Sequence, residues 1–182
     1  MGIIDKLNKD FESREKVSLK EYEMMISLKT GKLIESSILI GALLAGAEKA
    51  ELKALSKYGK LIGRAFQIKD DLLDLTANEK ELGKNKFGDI KESKKTYFFV
   101  NALELFSKKD AEELSAIYRI RNKKERDIKR VLNLFNSYGL IANAQEEISA
   151  LIKESKKSLG IFDGAKRQAL ELLADKLEIR TF

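Results

Sequence analysis

The chain has 182 residues, enough for one domain with a sizeable core, and it contains no cysteine, histidine, proline or tryptophan. Without cysteine it forms neither disulfides nor thiolate metal sites, and without histidine it lacks the commonest general base and metal ligand. Ser-His and Cys-His catalysis are therefore excluded. Its 35 basic and 29 acidic side chains give a formal charge of +6, and both signs are interspersed along most segments. That pattern is typical of solvated helix faces rather than of a nucleic-acid-binding surface.

The N-terminal residues and the apolar runs indicate neither a leader nor a membrane span. Residues 1–11 carry charges every two or three positions, unlike a signal peptide. The most apolar run, residues 38–47, is about half the length that a spanning helix needs. We therefore expect a soluble, cytoplasmic protein that binds no nucleic acid and has no membrane span.

Helical periodicity begins at the N-terminus. A short amphipathic helix is predicted over residues 3–12, and a capping box at residues 18–21 begins a second helix. Gly31 is expected to weaken that second helix immediately after Lys29 and Thr30. A nearly continuous apolar helix is predicted over residues 33–47.

A third long helix is predicted over residues 50–75. Gly59 and Gly63 lie four residues apart on it, which favours close packing against a neighbouring helix rather than a binding site. Phe66 belongs to the apolar stripe of this helix. We interpret Phe66 as a packing residue, with the lining of a cavity as the alternative.

The only long polar stretch, residues 77–95, follows that helix, and its length favours a functional or disordered loop. Further helices are predicted over residues 96–107, 110–120, 123–137, 140–155 and 163–177. No alternating strand pattern and no internal repeat are found. The sequence therefore predicts an all-α fold, an antiparallel helical bundle that forms a single domain over residues 1–182.

The most informative feature is a carboxylate cluster, Asp70, Asp71 and Asp74, near the end of the third helix. Asp70 and Asp74 are four residues apart and project from one face, and Gln67 lies one turn earlier. Uncompensated, these charges repel one another, and the negative end of the helix dipole disfavours them. Mg²⁺ held partly through water is the simplest compensation, and such an ion usually bridges to a phosphate. The alternative is a solvated acidic helix face.

Three further motifs accompany this cluster. The sequence KTGKL at residues 29–33 precedes it, and GK at residues 83–84 and GDIKESKKT at residues 88–96 follow it. With FQIKDDLLD at residues 66–74, the ordered set closely resembles the C-terminal half of the trans-isoprenyl diphosphate synthases, the polyprenyl synthetase family. That family carries KTGxL, FQxxDDxxD, GK and GxDIxEGKxT. A looser resemblance extends to the end of the chain and includes a late Arg180.

The resemblance implies an isoprenoid-synthase-type fold and chain elongation, in which an allylic diphosphate ionises and condenses with isopentenyl diphosphate. It implies Mg²⁺ as the cofactor, bound directly by Asp70, with Asp71 and Asp74 as further metal residues acting through water or as support. Asp70, Asp71 and Lys29 are then the implied catalytic residues. The implied substrate-binding residues are Lys29, Thr30, Gln67, Lys84 and Lys94.

The sequence departs from the family pattern in two respects. Ser93 replaces the glycine that precedes the lysine of the last motif, here Lys94. If that glycine is needed for a positive φ, the serine puts loop closure over the site in doubt. In addition, the chain has no counterpart of the N-terminal half of the family's proteins. That half carries a first aspartate-rich motif and the isopentenyl diphosphate site. Product length is set in that missing half.

We therefore expect the chain to be the C-terminal subunit of a split synthase, competent only with an N-terminal half. It should expose apolar surface where the missing helices pack, so that a hetero-oligomer or a homo-oligomer is expected. The alternatives are a non-catalytic regulatory subunit of a helical prenyl synthase and a fragment of a longer synthase. Of two basic segments, residues 119–130 are interpreted as solvated surface and residues 80–95 as diphosphate-binding.

Overall fold

The computed structural model describes residues 2, 6, 10–14, 16–76 and 86–181. All regular structure in these residues is helical, which confirms the predicted all-α fold. The α-helices are α1 Leu19–Ile26, α2 Lys32–Leu44, α3 Lys49–Thr76, α4 Gly88–Lys91, α5 Tyr97–Leu105, α6 Lys108–Tyr118, α7 Glu125–Ser137, α8 Leu140–Ser158 and α9 Gly164–Ile179. A π turn, Ser27–Gly31, joins α1 to α2, and a 3₁₀ turn, Leu159–Ile161, follows α8.

The predicted long helices all form, with ends displaced by at most a few residues. Two local expectations need correction. Gly31 does not interrupt the second helix, because its backbone angles are helical (φ −60°, ψ −42°) and α2 begins at the next residue. The polar stretch, residues 77–95, contains the short helix α4. Of the helix predicted over residues 3–12, residues 10–12 are helical, and most of the others lie outside the described residues.

The chain divides into two compact units. The first unit consists of Met1–Tyr22, Asp70–Ala144 and Thr181–Phe182, and the second consists of Glu23–Lys69 and Gln145–Arg180. The expectation of a single domain over residues 1–182 stays a prediction.

The core of the first unit is built around α5. Four consecutive residues of this helix, residues 97–100, are at most 4% exposed, so the first turn of α5 is buried on all sides rather than along one stripe. Aromatic pairs surround it: the ring centroids of Phe98 and Phe135 lie 5.7 Å apart, and those of Phe99 and Tyr118 lie 4.3 Å apart. This packing holds α5 in place against α6 and α7.

The core of the second unit depends on close backbone contact. A Cβ atom added to Gly59 would lie 2.9 Å from the Cα of Glu35, and one added to Gly63 would lie 2.7 Å from the Cα of Gly31. Both distances are too short for any side chain, so α3 packs directly on the backbone of α2 and of the π turn. The geometry agrees with the packing interpretation of these two glycines.

The basic segment at residues 119–130 includes paired surface charges. Arg130 donates to both carboxylate oxygens of Glu113, at 2.7 and 2.6 Å, and Lys129 pairs with Glu125 at 2.7 Å. Those pairs agree with the interpretation of this segment as solvated surface. None of the described helices is long and apolar enough to cross a membrane.

Candidate active site

The candidate residues of the second unit lie on the π turn and on α3. Helical backbone angles at Ile26 and Lys32 show that the helix continues on both sides of the π turn. A π turn adds one residue to a helical turn, and such turns occur frequently at functional sites. Lys29 lies on this turn and is exposed. Its ammonium group is therefore available to an anionic ligand.

Thr30 and Gln67, which come from two separate sequence motifs, are in direct contact. The hydroxyl of Thr30 donates a hydrogen bond to Oε1 of Gln67 at 2.9 Å. The close approach of Gly63 to Gly31 explains this contact, because it brings the backbones of α3 and the π turn together one turn before Gln67. The glycine of the KTG motif thus serves packing rather than backbone freedom.

Asp71, in the first unit, is a buried hydrogen-bond acceptor. The residue is only 4% exposed. Its Oδ2 accepts hydrogen bonds from the hydroxyl of Tyr22 at 2.9 Å and from the backbone N–H of Tyr97 at 2.8 Å. Tyr97 is the first residue of α5, and the preceding Thr96 supplies no side-chain cap. Asp71 therefore binds an N–H group in the buried first turn of α5, where the helix dipole favours a negative charge.

Asp74 anchors the beginning of α4 in the same way. The backbone N–H groups of Gly88 and Asp89 donate to its Oδ1 and Oδ2, at 3.1 and 3.0 Å. A Cβ on Gly88 would lie 3.2 Å from Oδ1 of Asp74, so a glycine at this position permits the contact. Burial and the nearby charge of Asp89 raise the pKa of Asp74, and the two backbone hydrogen bonds act against them.

Lys94 lies among carboxylates. Its Nζ contacts Oδ1 of Asp89 at 3.0 Å and Oε2 of Glu92 at 3.1 Å. Burial lowers the pKa of Lys94, but the hydrogen bonds and charges of Asp89 and Glu92 outweigh it, so the pKa lies well above its usual value. The positive charge of Lys94 is therefore shared with two acids.

Ser93 occupies a backbone conformation that favours glycine. Its φ is +60°, and the N–H groups of Ser93 and Lys94 donate to the carbonyls of Ile90 and Asp89, at 3.1 and 2.9 Å. This is the Schellman arrangement that ends a helix, with Ser93 at the left-handed position. The structure thus gives a positive φ to the position where the family pattern has glycine, and serine adopts it at a cost of about 1–2 kcal/mol.

The three predicted metal residues differ in how well their surroundings suit a Mg²⁺ ligand. Within the described part of the chain, no group of three or more acidic side chains is arranged to hold a metal ion. Asp71 and Asp74 accept hydrogen bonds from protein donors, whereas Asp70 is partly exposed. Mg²⁺ usually keeps several waters and uses one or two carboxylates together with substrate phosphates. Asp70 suits such a site as a ligand, and the three-carboxylate set stays a prediction.

Other site residues are less constrained by the structure. Lys84 lies outside the described residues. The guanidinium of Arg180 stacks over the ring of Phe66, with its carbon 5.2 Å from the ring centroid, so Phe66 contacts a cation rather than only apolar neighbours. Two further polar residues of the site, Tyr22 and Asp89, had no role predicted from the sequence. Asp89 stands inside a recognised motif, whereas nothing in the sequence links Tyr22 to Asp71.

Comparison with known proteins places these features in a family. The polyprenyl synthetase model matches residues 3–135. A short chain isoprenyl diphosphate synthase of Methanothermobacter thermautotrophicus is 36% identical over 170 residues, which cover 93% of this chain and 52% of that enzyme. The fold is therefore of the all-helical isoprenoid-synthase type, and the chain belongs to the polyprenyl synthetase family.

Solved structures agree with this assignment. The geranylgeranyl pyrophosphate synthetase of Pyrococcus horikoshii has a TM-score of 0.87 and 35% identity, and the match covers 97% of this chain and 54% of that one. The geranylgeranyl pyrophosphate synthase of Corynebacterium glutamicum, solved with isoprenyl diphosphate and magnesium, has a TM-score of 0.86 and 27% identity, covering 97% and 51%. The chain spans about half the length of the relatives that it matches.

Proposed function

We propose that this chain is the C-terminal subunit of a split isoprenyl diphosphate synthase. The observation that carries the proposal is that nearly the whole chain aligns with only about half of the relatives described above. The other half, with the first aspartate-rich motif and the isopentenyl diphosphate site, would come from a partner chain. The assembled enzyme would join an allylic diphosphate to isopentenyl diphosphate.

In this reaction the C–O bond of the allylic diphosphate breaks, and its electron pair leaves on the diphosphate. The alkene of isopentenyl diphosphate attacks the allylic cation, and loss of a proton completes the new chain. Mg²⁺, when bound, supplies positive charge that offsets the charge developing on the departing diphosphate.

The chain's own residues would divide this work. Lys29 would bind the diphosphate through its exposed ammonium, and the hydrogen bond between Thr30 and Gln67 would orient both polar side chains. Lys84 and Lys94 would add positive charge. Asp70 would hold the metal, with Asp71 and Asp74 as supporting residues, and their hydrogen bonds to the starts of α5 and α4 support that division.

An exposed apolar face on α2 supports the need for a partner. Leu33, Ile40, Leu43 and Leu44 lie on one face of this helix and are 72%, 58%, 59% and 85% exposed. Large apolar side chains in such an arrangement commonly mark an interaction surface. We assign this face to the N-terminal synthase half, because that half is what the chain lacks relative to its family.

The test begins with native mass spectrometry of the complex recovered from the source organism with this chain as bait. We expect a partner that carries its own aspartate-rich motif, and the two chains together should elongate an allylic diphosphate with Mg²⁺. Prenyl transfer at ordinary rates by the purified chain alone would contradict the split-enzyme proposal, as would recovery of a complete synthase as the partner.

The variant Asp70→Asn then distinguishes a catalytic subunit from a regulatory subunit. In the two-chain assay we expect kcat to fall on the order of 100-fold or more, because a carboxylate that would hold the metal beside the leaving diphosphate is lost. Asp175→Asn makes the same change at an exposed carboxylate of α9 and should leave kcat unchanged. A regulatory subunit would keep its effect after Asp70→Asn.

A further inference from the structure

We propose that Ser93 and Lys123 form a latch that positions Lys94, together with its partner Asp89, so that the Lys94 ammonium can bind a diphosphate. The inference rests on the proposed function for the ligand, and on contacts within the first unit for the latch. Lys123 belongs to none of the sequence motifs and comes from the segment between α6 and α7. It is a positioning residue, because it acts on the ligand through the segment that carries Lys94.

The latch is a chain of hydrogen bonds centred on the serine hydroxyl. Ser93 Oγ donates to the carbonyl of Tyr118 at 2.6 Å and accepts a hydrogen bond from Nζ of Lys123. Because the serine both donates and accepts, each bond polarises the other and strengthens it. Glycine, the family residue at this position, offers neither bond.

Lys123 is itself held in place by several groups. Its Nζ donates to the carbonyls of Ile120 and Lys91, at 3.0 and 3.4 Å, and lies 5.6 Å from the centroid of the Tyr118 ring. The ammonium thus joins the end of α4, at Lys91, to the segment that follows α6. Partial burial lowers the pKa of Lys123, in agreement with a structural position.

Helix α4 needs such support at both ends. It has only four residues, too few for a helix to be stable by itself. Asp74 binds the N–H groups at its beginning, and the latch holds the left-handed residue Ser93, two positions after its end. Asp89 lies within α4 and Lys94 follows it, so the two anchors together determine where both charged side chains can reach.

The latch also explains how serine can replace glycine here. Ser93 pays a conformational cost at φ +60°. Its two hydrogen bonds offset that cost, and an alanine at this position would have the cost without the bonds. Ser93→Ala should therefore destabilise the segment that follows α4 more than Ser93→Gly does. The glycine variant loses the two hydrogen bonds but also removes the backbone strain.

The experiment combines hydrogen–deuterium exchange with calorimetric titration of inorganic diphosphate in the presence of Mg²⁺, on the full chain. In Lys123→Met we expect the amides of residues 92–94 to exchange about 5–10-fold faster, and diphosphate to bind about 5–10-fold more weakly, as loss of one or two hydrogen bonds predicts. Ser93→Ala should behave similarly, and Ser93→Gly should show about half of that effect on a logarithmic scale. Lys123→Arg should restore most of the wild-type behaviour.

Lys108→Met is the matched control, because it removes the same charge from an exposed lysine at the start of α6. It should leave both exchange and affinity unchanged. If Lys123→Met matches the wild type in both measurements, the latch is wrong. Weaker binding without faster exchange would make Lys123 a direct ligand and would also overturn it. Failure of the wild-type chain to bind diphosphate would instead overturn the proposed function.

Discussion

Adjacent carboxylates of the FQIKDDLLD motif have different surroundings. Asp71 is buried and accepts hydrogen bonds from a tyrosine hydroxyl and a backbone N–H, whereas Asp70 is partly exposed. Burying a donor without an acceptor is costly, so Asp71 contributes to stability through the groups that it satisfies. The motif therefore combines a candidate metal ligand, Asp70, with a hydrogen-bond acceptor that stabilises the fold, Asp71.

Replacing Asp71 should destabilise the fold. Asp71→Ala would leave the N–H of Tyr97 and the hydroxyl of Tyr22 buried without this acceptor, and we expect a loss of about 2–4 kcal/mol in the free energy of unfolding. Urea denaturation measures this loss. Asp71→Asn keeps an acceptor oxygen and should cost less than half as much. A fully stable Asp71→Ala protein would contradict the structural role.

Tyr58 should make stability depend on pH above 10. It is fully buried and donates to the carbonyl of Leu170 at 2.6 Å, and burial, with the charge of Asp175, raises its pKa to about 12. Between pH 10 and about 12 the unfolded chain releases this proton while the folded chain keeps it, so stability falls as pH rises.

The variant Tyr58→Phe isolates this contribution. Below pH 10 it should be less stable than the wild type by about 1 kcal/mol, because the hydrogen bond is lost. From pH 10 to 12 the difference should shrink, since only the wild type carries the buried hydroxyl. Urea denaturation at pH 8, 10 and 11.5 measures it, and a constant difference across that range would contradict the prediction.

At the scale of the elements, the glycines of α3 determine how closely its neighbours pack. Gly63→Ala would place a Cβ 2.7 Å from the Cα of Gly31. The Cβ is fixed directly to the backbone of α3, and the Cα of Gly31 belongs to the backbone of the π turn, so neither atom can move aside without a backbone shift. We therefore expect a loss of about 2–3 kcal/mol in the free energy of unfolding. The measurement is the midpoint of urea unfolding at an unchanged m-value.

Gly41→Ala in α2 is the matched control. A Cβ on Gly41 meets nothing within 4 Å, and the residue is exposed on a helix. This change should therefore stabilise the protein by about 0.5–1 kcal/mol. Equal effects of the two substitutions would show that helix propensity, rather than close packing, governs Gly63.

Most elements could be predicted from the sequence because their apolar periodicity is strong. The short helix α4 could not, because it has four residues in a polar stretch and depends on Asp74 and on the segment after α6. The π turn also escaped prediction, and the close contact of its Gly31 with Gly63 joins positions that are far apart in the sequence. The candidate residues were found through motifs, but the hydrogen bond of Asp71 to Tyr22 joins positions 49 apart.

At the scale of the whole molecule, the exposed face of α2 should determine assembly. Ile40→Lys combined with Leu44→Lys should leave the free energy of unfolding of the chain within about 0.5 kcal/mol, because both side chains are exposed. The same change should weaken the complex with the N-terminal half by about 100-fold, since two central apolar contacts are lost.

Sedimentation or titration of the two purified chains measures this affinity. Leu105→Lys, at the end of α5, is the control, because Leu105 is an exposed leucine of similar accessibility at 53%. It should leave the complex intact. If the α2 variant binds the partner as tightly as the wild type, the interface lies on another surface.

The hydrogen bonds of Asp71 and Asp74 bear on how inactive descendants of such a chain would evolve. Loss of either carboxylate removes the acceptor that begins a helix, so selection for folding alone would retain both residues after catalysis had ceased. Conservation of the second and third aspartates of the motif across genomes therefore reports folding and does not by itself identify an active enzyme.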